Sequence, residues 1–243
     1  MAKILVLAKS GFGKTTSWAG REKLGIKGLD PKNTFVIQCI GRAVPNKNFK
    51  LCNSTDIQDL KTGNRIAVDR LPTEQRYEKV ASIIKALVKS PYKNIVLDDF
   101  NFLSQDYYMA NSLRKGWDTA KEMGDGMQKI FQAIKLVPED KNIFICAHYM
   151  EYKDKKGDSI SYKFKSVGNM VDEYICPEGH ADVILYGKQE FDNDSNKPIK
   201  QFVKEFDGEY PAKDSVGYLD SLDIYFPNDL SIVEEAIDKF YKG

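Results

Sequence analysis

Runs of apolar residues recur along the chain, and each run is bounded by polar or turn-forming residues. A continuous apolar run is typical of a strand buried on both faces of a parallel sheet. The longer runs predict four core strands, over Lys3–Ala8, Thr34–Ile40, Asn94–Asp98 and Asn142–His148. Shorter runs predict further strands over Arg65–Asp69, Ala181–Tyr186 and Lys200–Phe206.

Apolar residues at helical spacing separate these strands. Val80, Ile83, Ile84 and Leu87 predict a helix that begins at Thr73 as N-cap and runs to about Lys89. Similar patterns predict helices over Lys14–Leu24, residues 117–136 and Ser231–Lys242. Strands that alternate with helices predict a three-layer α/β fold with a mostly parallel central sheet.

Neither a repeat nor a clear linker divides the chain, so we expect a single domain over residues 1–243. Within it, residues 149–180 are rich in Lys and aromatic residues and are predicted to form a mobile loop insertion. Residues 200–243 are predicted to form a C-terminal extension of strand and helix.

Composition limits the classes of partner. The chain is 42% hydrophobic with a net charge of +1, so a site for a polyanion would have to be local. The N-terminus leads directly into a strand and no apolar run has the length of a membrane span, which predicts a cytoplasmic protein without membrane contact. Four cysteines without C-x-x-C spacing are expected to be buried free thiols: Cys39, Cys52, Cys146 and Cys176.

A glycine-rich segment directly after the first strand has the spacing of a phosphate-binding loop. It reads Ala-Lys-Ser-Gly-Phe-Gly-Lys-Thr from Ala8 to Thr15, with Ala8 where the first Gly usually stands. Glycines let backbone N–H groups approach a phosphate, Lys14 supplies a point charge, and the Thr15 hydroxyl is suited to Mg²⁺. We therefore expect ATP and Mg²⁺ as ligands, with the nucleotide bound by Ser10, Gly11, Phe12, Gly13, Lys14, Thr15 and Thr16.

The other half of such a site needs an acid at the end of a neighbouring strand. Asp98 ends an apolar strand and is predicted to hold the metal together with Thr15; a turn-capping role for Asp98 stays open. Asp99 and His148 are predicted, with Lys14, as the catalytic residues. Neighbouring strand residues point to opposite faces, so the direction of Asp99 is left undecided. A purely structural role for His148 is also open.

With these motifs in this order, the chain resembles the RecA-like ATPases, and more narrowly the small bacteriophage AAA-type ATPases related to phage single-strand annealing proteins. The segments that carry this resemblance are Ala8–Thr16, Ile95–Asp99, the Trp117 helix, Ile145–His148 and Ala212–Ser215. The resemblance implies an ATPase of phage recombination or replication, located in the bacterial host cytoplasm. It also implies a homo-oligomer in which a basic residue from a neighbouring subunit completes the site. Lys213 is the candidate, and a solvated surface lysine beside Asp214 is the alternative.

In RecA-like proteins the loop after the strand that ends at the His contacts single-stranded DNA. The matching stretch, Tyr149–Lys165, mixes basic side chains with Tyr149, Tyr152, Tyr162 and Phe164, which suits backbone contact and base stacking. The candidate DNA contacts are Lys153, Lys155, Lys156, Lys163 and Lys165. An exposed hairpin protected by lysines explains the same pattern.

The resemblance fails at one position, because the strand after the first helix ends Gln38-Cys39-Ile40 where RecA-like enzymes usually carry a catalytic Glu. Two other hypotheses remain beside the DNA-linked ATPase. One is a nucleoside or nucleotide kinase, although only six of the 36 basic residues are Arg. The other is a nucleotide-dependent assembly switch that does not hydrolyse ATP. A GTPase is disfavoured because no Asn-Lys-x-Asp segment is present.

Overall fold

The computed structural model describes residues 2–153, 160–167, 175–192 and 196–243. Its strands are β1 Ala2–Leu7, β2 Thr34–Gln38, β3 Arg65–Ala67, β4 Asn94–Asp98, β5 Asn142–Ala147, β6 Tyr149–Lys153, β7 Ile160–Phe164, β8 Val183–Asp192, β9 Lys197–Val203, β10 Lys213–Asp214 and β11 Tyr225–Pro227. Its α-helices are α1 Lys14–Ala19, α2 Thr73–Leu87, α3 Phe102–Ala110, α4 Asp118–Ile134 and α5 Leu230–Lys242. Short 3₁₀ helices span Glu22–Leu24, Ile57–Lys61 and Pro177–His180.

Nine of the strands form one sheet. Eight of them follow the order β11-β9-β8-β1-β5-β4-β2-β3, and β10 pairs with β8. The pairs from β8 through β1, β5, β4 and β2 to β3 are parallel, whereas β9, β10 and β11 pair antiparallel. The predicted mostly parallel sheet is therefore confirmed, with an antiparallel edge built by the C-terminal strands.

Two apolar layers cover the sheet, one on each face. Alternate residues of β1 illustrate this, because Leu5 and Leu7 join one core cluster while Ile4 and Val6 join the other. The first cluster includes buried residues of α2, α3 and α4, and the second includes buried residues of α1 and α5. The molecule thus has the predicted three layers.

The strand order brings the carboxyl ends of β1, β5 and β4 side by side. Leu7 pairs with Ala147, and Ile145 pairs with Leu97, so the three strands end at one edge. The segments after these strands begin with Ala8, His148 and Asp99 respectively. This register positions the candidate site.

Several predicted boundaries were wrong, each for a local reason. Helix α1 ends at Ala19 rather than Leu24, because Gly20 has φ 78° and a Cβ there would lie 2.2 Å from the Lys27 carbonyl oxygen. Thr73 is not the N-cap of α2. Pro72 occupies that position, and the Thr73 hydroxyl donates to Glu74 instead of capping.

Helix α3 was not predicted, since its buried side Leu103, Ser104 and Tyr107 includes a serine and shows little apolar periodicity. Cys39, Cys52 and Cys146 are buried free thiols as predicted, but Cys176 is exposed, so that part of the prediction was wrong. Among the described residues, none of the helices has the length and apolar character needed to cross a bilayer.

Candidate phosphate-binding site

The loop between β1 and α1 has the backbone expected of a phosphate cradle. Gly11 and Gly13 both have positive φ, 79° and 106°, a conformation that L side chains rarely adopt. A Cβ on Gly13 would also lie 3.2 Å from Asn228 Nδ2. Phe12 sends its ring into the core against Phe202, so only its backbone is available to a ligand. Ser10 is exposed, and Thr16 is half-buried.

Lys14 is buried at the centre of this loop. Its ammonium donates to the Ala8 carbonyl oxygen at 2.9 Å and lies 3.1 Å from His148 Nδ1. Burial lowers the pKa of Lys14, while the nearby charges of Asp99 and Asp98 act in the opposite direction. A lysine that is folded onto its own loop holds an ammonium ready for an anion at the position where phosphates would sit.

Asp98 and Thr15 face each other across the site. The Thr15 hydroxyl donates to Asp98 Oδ2 at 3.2 Å, and Asp98 Oδ1 is buried without a hydrogen-bond partner. Burial and the neighbouring charge of Asp99 raise the pKa of Asp98 to about 6. A buried carboxylate oxygen that lacks a donor is suited to a cation.

Asp99 lies just past the end of β4 and does not follow the alternation of strand residues. Its φ of 59° turns the chain, and its side chain is buried in the site with Asp98. Asp99 Oδ1 lies 3.7 Å from His148 Nε2, so the structure brings these two predicted residues together. The sequence left the direction of the Asp99 side chain undecided. In the structure it points toward Lys14 and His148, because the left-handed backbone at Asp99 interrupts the alternation of strand residues.

His148 lies between Lys14 and Asp99. Its backbone N–H donates to Asn101 Oδ1 at 3.1 Å, which fixes the end of β5 against the segment after β4. Burial and the positive charge of Lys14 lower the pKa of His148. The neutral form of the imidazole, which is the form that is able to accept a proton, is therefore favoured.

Two residues of this site were missed by sequence reasoning. Arg42 NH1 lies 3.5 Å from Asp99 Oδ2, and Asn101 anchors His148. Arg42 follows the end of β2, the strand beside β4, so the strand order would have indicated it. Gln38, at the position where an acid was expected, instead accepts a hydrogen bond from Arg65 at 2.6 Å.

A cleft of about 500 Å³ opens beside the phosphate loop. Its lining includes Gly13 and Thr16, together with Pro198, Pro227 and Asn228 from the C-terminal part of the chain. Asn228 donates to the Phe12 and Gly13 carbonyl oxygens, which ties the cleft wall to the loop. A second surface cleft of about 1020 Å³ shares Arg21, Gly25 and Ile26 with the first, and its lining includes none of the predicted phosphate-binding residues.

The predicted DNA contacts lie on and beyond the antiparallel hairpin of β6 and β7. Lys163 and Lys165 are exposed, and Lys163 lies 5.6 Å from the centre of the Tyr152 ring. Lys155 and Lys156 lie outside the described residues, and Lys153 is described only as the last residue of β6.

Base stacking by most rings of the hairpin is contradicted. Tyr149, Tyr162 and Phe164 are buried, and the two tyrosines pack with Tyr186 and Tyr210 in one aromatic cluster. These rings alternate with outward-facing lysines because one face of the hairpin packs on the core. The same Lys and aromatic pattern thus has a packing explanation.

Lys213 lies in β10, opposite Ile184 of β8, and is half-buried. The neighbouring Asp214 accepts hydrogen bonds from the backbone N–H groups of Gly217 and Leu219. The Ala212–Ser215 segment therefore has a local structural explanation, and the action of Lys213 on a neighbouring subunit stays a prediction.

No family model matches the chain, and no curated protein matches it. A KaiC-like protein from the hyperthermophilic archaeon Pyrococcus horikoshii is similar in structure, with a TM-score of 0.42 and 13% sequence identity. The alignment covers 83% of this chain and 78% of the archaeal chain. The three-layer fold itself rests on the sheet order and the two apolar layers.

Proposed function

We propose that this chain is a P-loop ATPase of the RecA-like type that binds Mg–ATP at the edge formed by β1, β5 and β4. The observation that carries the proposal is the convergence of Lys14, Thr15 and Asp98, three groups from two separate segments. The Thr15–Asp98 hydrogen bond of 3.2 Å joins the phosphate loop to the acidic strand. The Trp18 indole is near enough to lower the pKa of Asp98, but Asp98 Oδ1 has no hydrogen bond of good geometry, and structural capping alone does not account for that.

The residues fit a magnesium ion that is bound together with phosphates. Mg²⁺ is usually held by one or two carboxylates, substrate phosphates and water. Asp98 and Thr15 supply the protein oxygens for this arrangement. Within the described ranges, no group of three or more His, Cys, Asp and Glu side chains is suited to a metal by itself, which agrees with an ion that needs the nucleotide.

The cleft beside the loop fits the nucleoside half of the ligand. It adjoins Gly13 and Thr16, and Pro198 and Pro227 offer apolar surfaces to a planar base. Its volume of about 500 Å³ falls within the range of small-molecule pockets. Ser10 to Thr16 would then contact the phosphates.

Hydrolysis of ATP would depend on Asp99 and His148, together with Lys14. We assign the orientation and deprotonation of the attacking water to Asp99 and His148, which lie 3.7 Å apart. The lowered pKa of His148 favours the neutral imidazole, the form that is able to take up a proton. Lys14 stabilises the charge that develops on the phosphates.

The finer proposal is a role in phage DNA recombination or replication, through binding or annealing of single-stranded DNA by a homo-oligomer. Exposed Lys163 and Lys165 support contact with a phosphate backbone. The buried rings limit the contribution of stacking, so this contact would be mainly electrostatic. Lys213 would complete the site of a neighbouring subunit.

A non-hydrolysing ATP-dependent switch is the second candidate, and Gln38 favours it. An amide that is occupied by Arg65 cannot replace a catalytic carboxylate. Turnover separates this candidate from the ATPase.

The test is steady-state ATP hydrolysis by the wild type and Lys14→Met, each with and without single-stranded DNA. The ATPase proposal predicts wild-type turnover that the substitution abolishes. Faster wild-type turnover in the presence of DNA supports the finer proposal. Turnover that is the same with and without DNA contradicts it. ATP binding without any turnover would favour the switch.

A further inference from the structure

Arg42 is the arginine whose guanidinium lies within 4 Å of the buried carboxylate of Asp99. Arg42 NH1 is 3.5 Å from Asp99 Oδ2, an oxygen that is buried without a hydrogen-bond partner. The guanidinium also lies over the Phe102 ring, 5.7 Å from its centre. About half of the Arg42 side chain, 52%, is exposed, whereas only 5% of the Asp99 side chain is exposed. The ion pair therefore joins a fixed carboxylate to a side chain that has room to move.

The backbone of Arg42 is held in place by hydrogen bonds, whereas its guanidinium group is half-exposed. The Arg65 guanidinium donates to the Arg42 carbonyl oxygen at 3.3 Å and to Gln38 at 2.6 Å. These bonds fix the segment after β2 against β3. An anchored Cα with a half-exposed guanidinium allows the head to change partner without a change in the fold.

A short series of contacts leads from the phosphate loop to Arg42. Lys14 Nζ is 3.1 Å from His148 Nδ1, His148 Nε2 is 3.7 Å from Asp99 Oδ1, and Asp99 Oδ2 is 3.5 Å from Arg42 NH1. Arg42 is close enough to Lys14 for its positive charge to contribute to the lowered pKa of that ammonium, after the larger effect of burial. The nucleoside cleft lies elsewhere, beside Gly13 and Thr16.

We propose that Arg42 reads the terminal phosphate of ATP within its own chain, by exchanging the Asp99 carboxylate for the γ-phosphate oxygens. This inference rests on the proposed function and names a further residue of that site. A guanidinium binds phosphate oxygens with two parallel hydrogen bonds, which Lys14 cannot do. ADP lacks the last phosphate, so Arg42 stays on Asp99 when ADP is bound.

The exchange also prepares Asp99 for the hydrolytic step. Once Arg42 has left, the Asp99 carboxylate is free to accept a proton from water. The water oxygen forms a bond to the γ-phosphorus, and the bond from that phosphorus to the β,γ-bridging oxygen breaks with its electron pair staying on ADP. The proton on Asp99 then passes to solvent, so no other reactant is required.

A purely structural role predicts a different behaviour. If Arg42 only neutralises Asp99, its removal leaves an unpaired carboxylate that repels the phosphates, and the γ-phosphate of ATP most strongly. Removal of the Asp99 charge would then repair the defect. If Arg42 reads the terminal phosphate, the loss concerns ATP alone and removal of the Asp99 charge does not restore it.

The experiment is calorimetric titration of ATP and of ADP, with Mg²⁺ present, into the wild type, Arg42→Ala, Arg42→Lys and Arg42→Ala combined with Asp99→Asn. Arg114→Ala is the matched control, because Arg114 also pairs with a carboxylate, Glu122, but does so on the surface between α3 and α4. We expect Arg42→Ala to weaken ATP at least about tenfold, the range of a charged hydrogen bond, and to change ADP less than about twofold. Arg42→Lys should be intermediate, the double variant should keep the ATP defect, and the control should match the wild type.

An unchanged ratio of ATP to ADP affinity in Arg42→Ala overturns the inference, as does recovery of ATP binding in the double variant. Wild-type protein that binds neither nucleotide overturns the proposed function itself. The two failures are therefore distinguishable, and neither readout depends on turnover.

Discussion

The phosphate site, formed by Lys14, Thr15, Asp98, Asp99 and His148, and the β6–β7 hairpin both contain charged residues that the sequence marked as functional. In the phosphate site these side chains converge from three strand ends, and all five residues come within 4 Å of another member. In the hairpin, Lys163 and Lys165 point to solvent while the rings of Tyr149, Tyr162 and Phe164 enter the core.

The difference between these regions comes from burial. Buried charges cost free energy unless they are paired, so a group of them held together without complete pairing indicates a ligand. Exposed lysines beside buried rings cost nothing and need no ligand. Convergence of buried polar groups is therefore the stronger sign of function, and mixed composition the weaker one.

The largest expected effect is that of Lys14→Met, which removes the ammonium at the centre of the phosphate site. We expect ATP affinity to fall at least about 100-fold, since a charge-assisted contact with phosphate is lost in a buried setting. Calorimetric titration measures the change. Lys85→Met, an exposed lysine in the last turn of α2, is the control and should bind ATP as the wild type does. Equal affinities in both variants would show that the buried Lys14 does not bind phosphate.

Asp98→Asn should stabilise the protein without nucleotide while it harms Mg–ATP binding. The raised pKa, about 6 against the ordinary 3.8, means that the folded state favours the neutral acid. The wild type therefore loses unfolding free energy as the pH rises from about 4 through 6, because Asp98 must then ionise in a buried position. The loss amounts to about 3 kcal/mol for two pKa units. In urea unfolding, the variant should exceed the wild type in unfolding free energy by more at pH 7.5 than at pH 5. The same difference in unfolding free energy at both pH values would contradict the conclusion that burial raises the pKa of Asp98.

Replacing both Lys163 and Lys165 with Ala tests the hairpin. If they contact a DNA backbone, single-stranded DNA binding should weaken several-fold, and the slope of log affinity against log salt should decrease by about one to two. Binding of ATP should change little, because Lys165 is bonded to the phosphate site only through its backbone N–H, which donates to the His148 carbonyl oxygen at 2.8 Å, and its ammonium acts on His148 only through its charge. Fluorescence anisotropy with a labelled oligonucleotide at several salt concentrations measures the DNA effect. If the double variant binds single-stranded DNA as tightly as the wild type does, these lysines do not contact DNA and the hairpin has only a packing role.

The smallest effect concerns the contact between the two regions. Lys9, in the phosphate loop, pairs with Glu151 of β6 at 2.5 Å, and both side chains are substantially exposed. Exposed ion pairs contribute about 0–1 kcal/mol, so Lys9→Ala should lower the unfolding free energy by less than about 1 kcal/mol. ATP affinity should change by less than about threefold. A loss comparable with that of Lys14→Met would show that the regions do not act separately.

The core strands could be predicted because apolar runs determine them locally. Asn94–Asp98 matches β4 at both ends, and Asn142–His148 exceeds β5 by one residue. The end of α1 could not be predicted, because it depends on the close approach of Lys27 to Gly20 in the folded chain. Similarly, the rings of the hairpin look available in the sequence and are buried only once β8 is in place.

The site divides in the same way. Lys14, Thr15 and Asp98 follow from a motif whose spacing is set by the backbone. The side on which Asp99 lies depends on one left-handed residue, and Arg42 joins it only through the pairing of β2 with β4. Local patterns thus predict the phosphate half of the site, whereas the sheet order is needed for the rest.

The most direct measurement of the central claim is ATP affinity with Mg²⁺ and with a chelator instead, for the wild type and Asp98→Asn. If Asp98 and Thr15 hold the metal beside the phosphates, Mg²⁺ should strengthen ATP binding to the wild type at least about tenfold and leave the variant nearly unaffected. Wild-type protein that fails to bind ATP, or binds it equally with and without Mg²⁺, would contradict the claim.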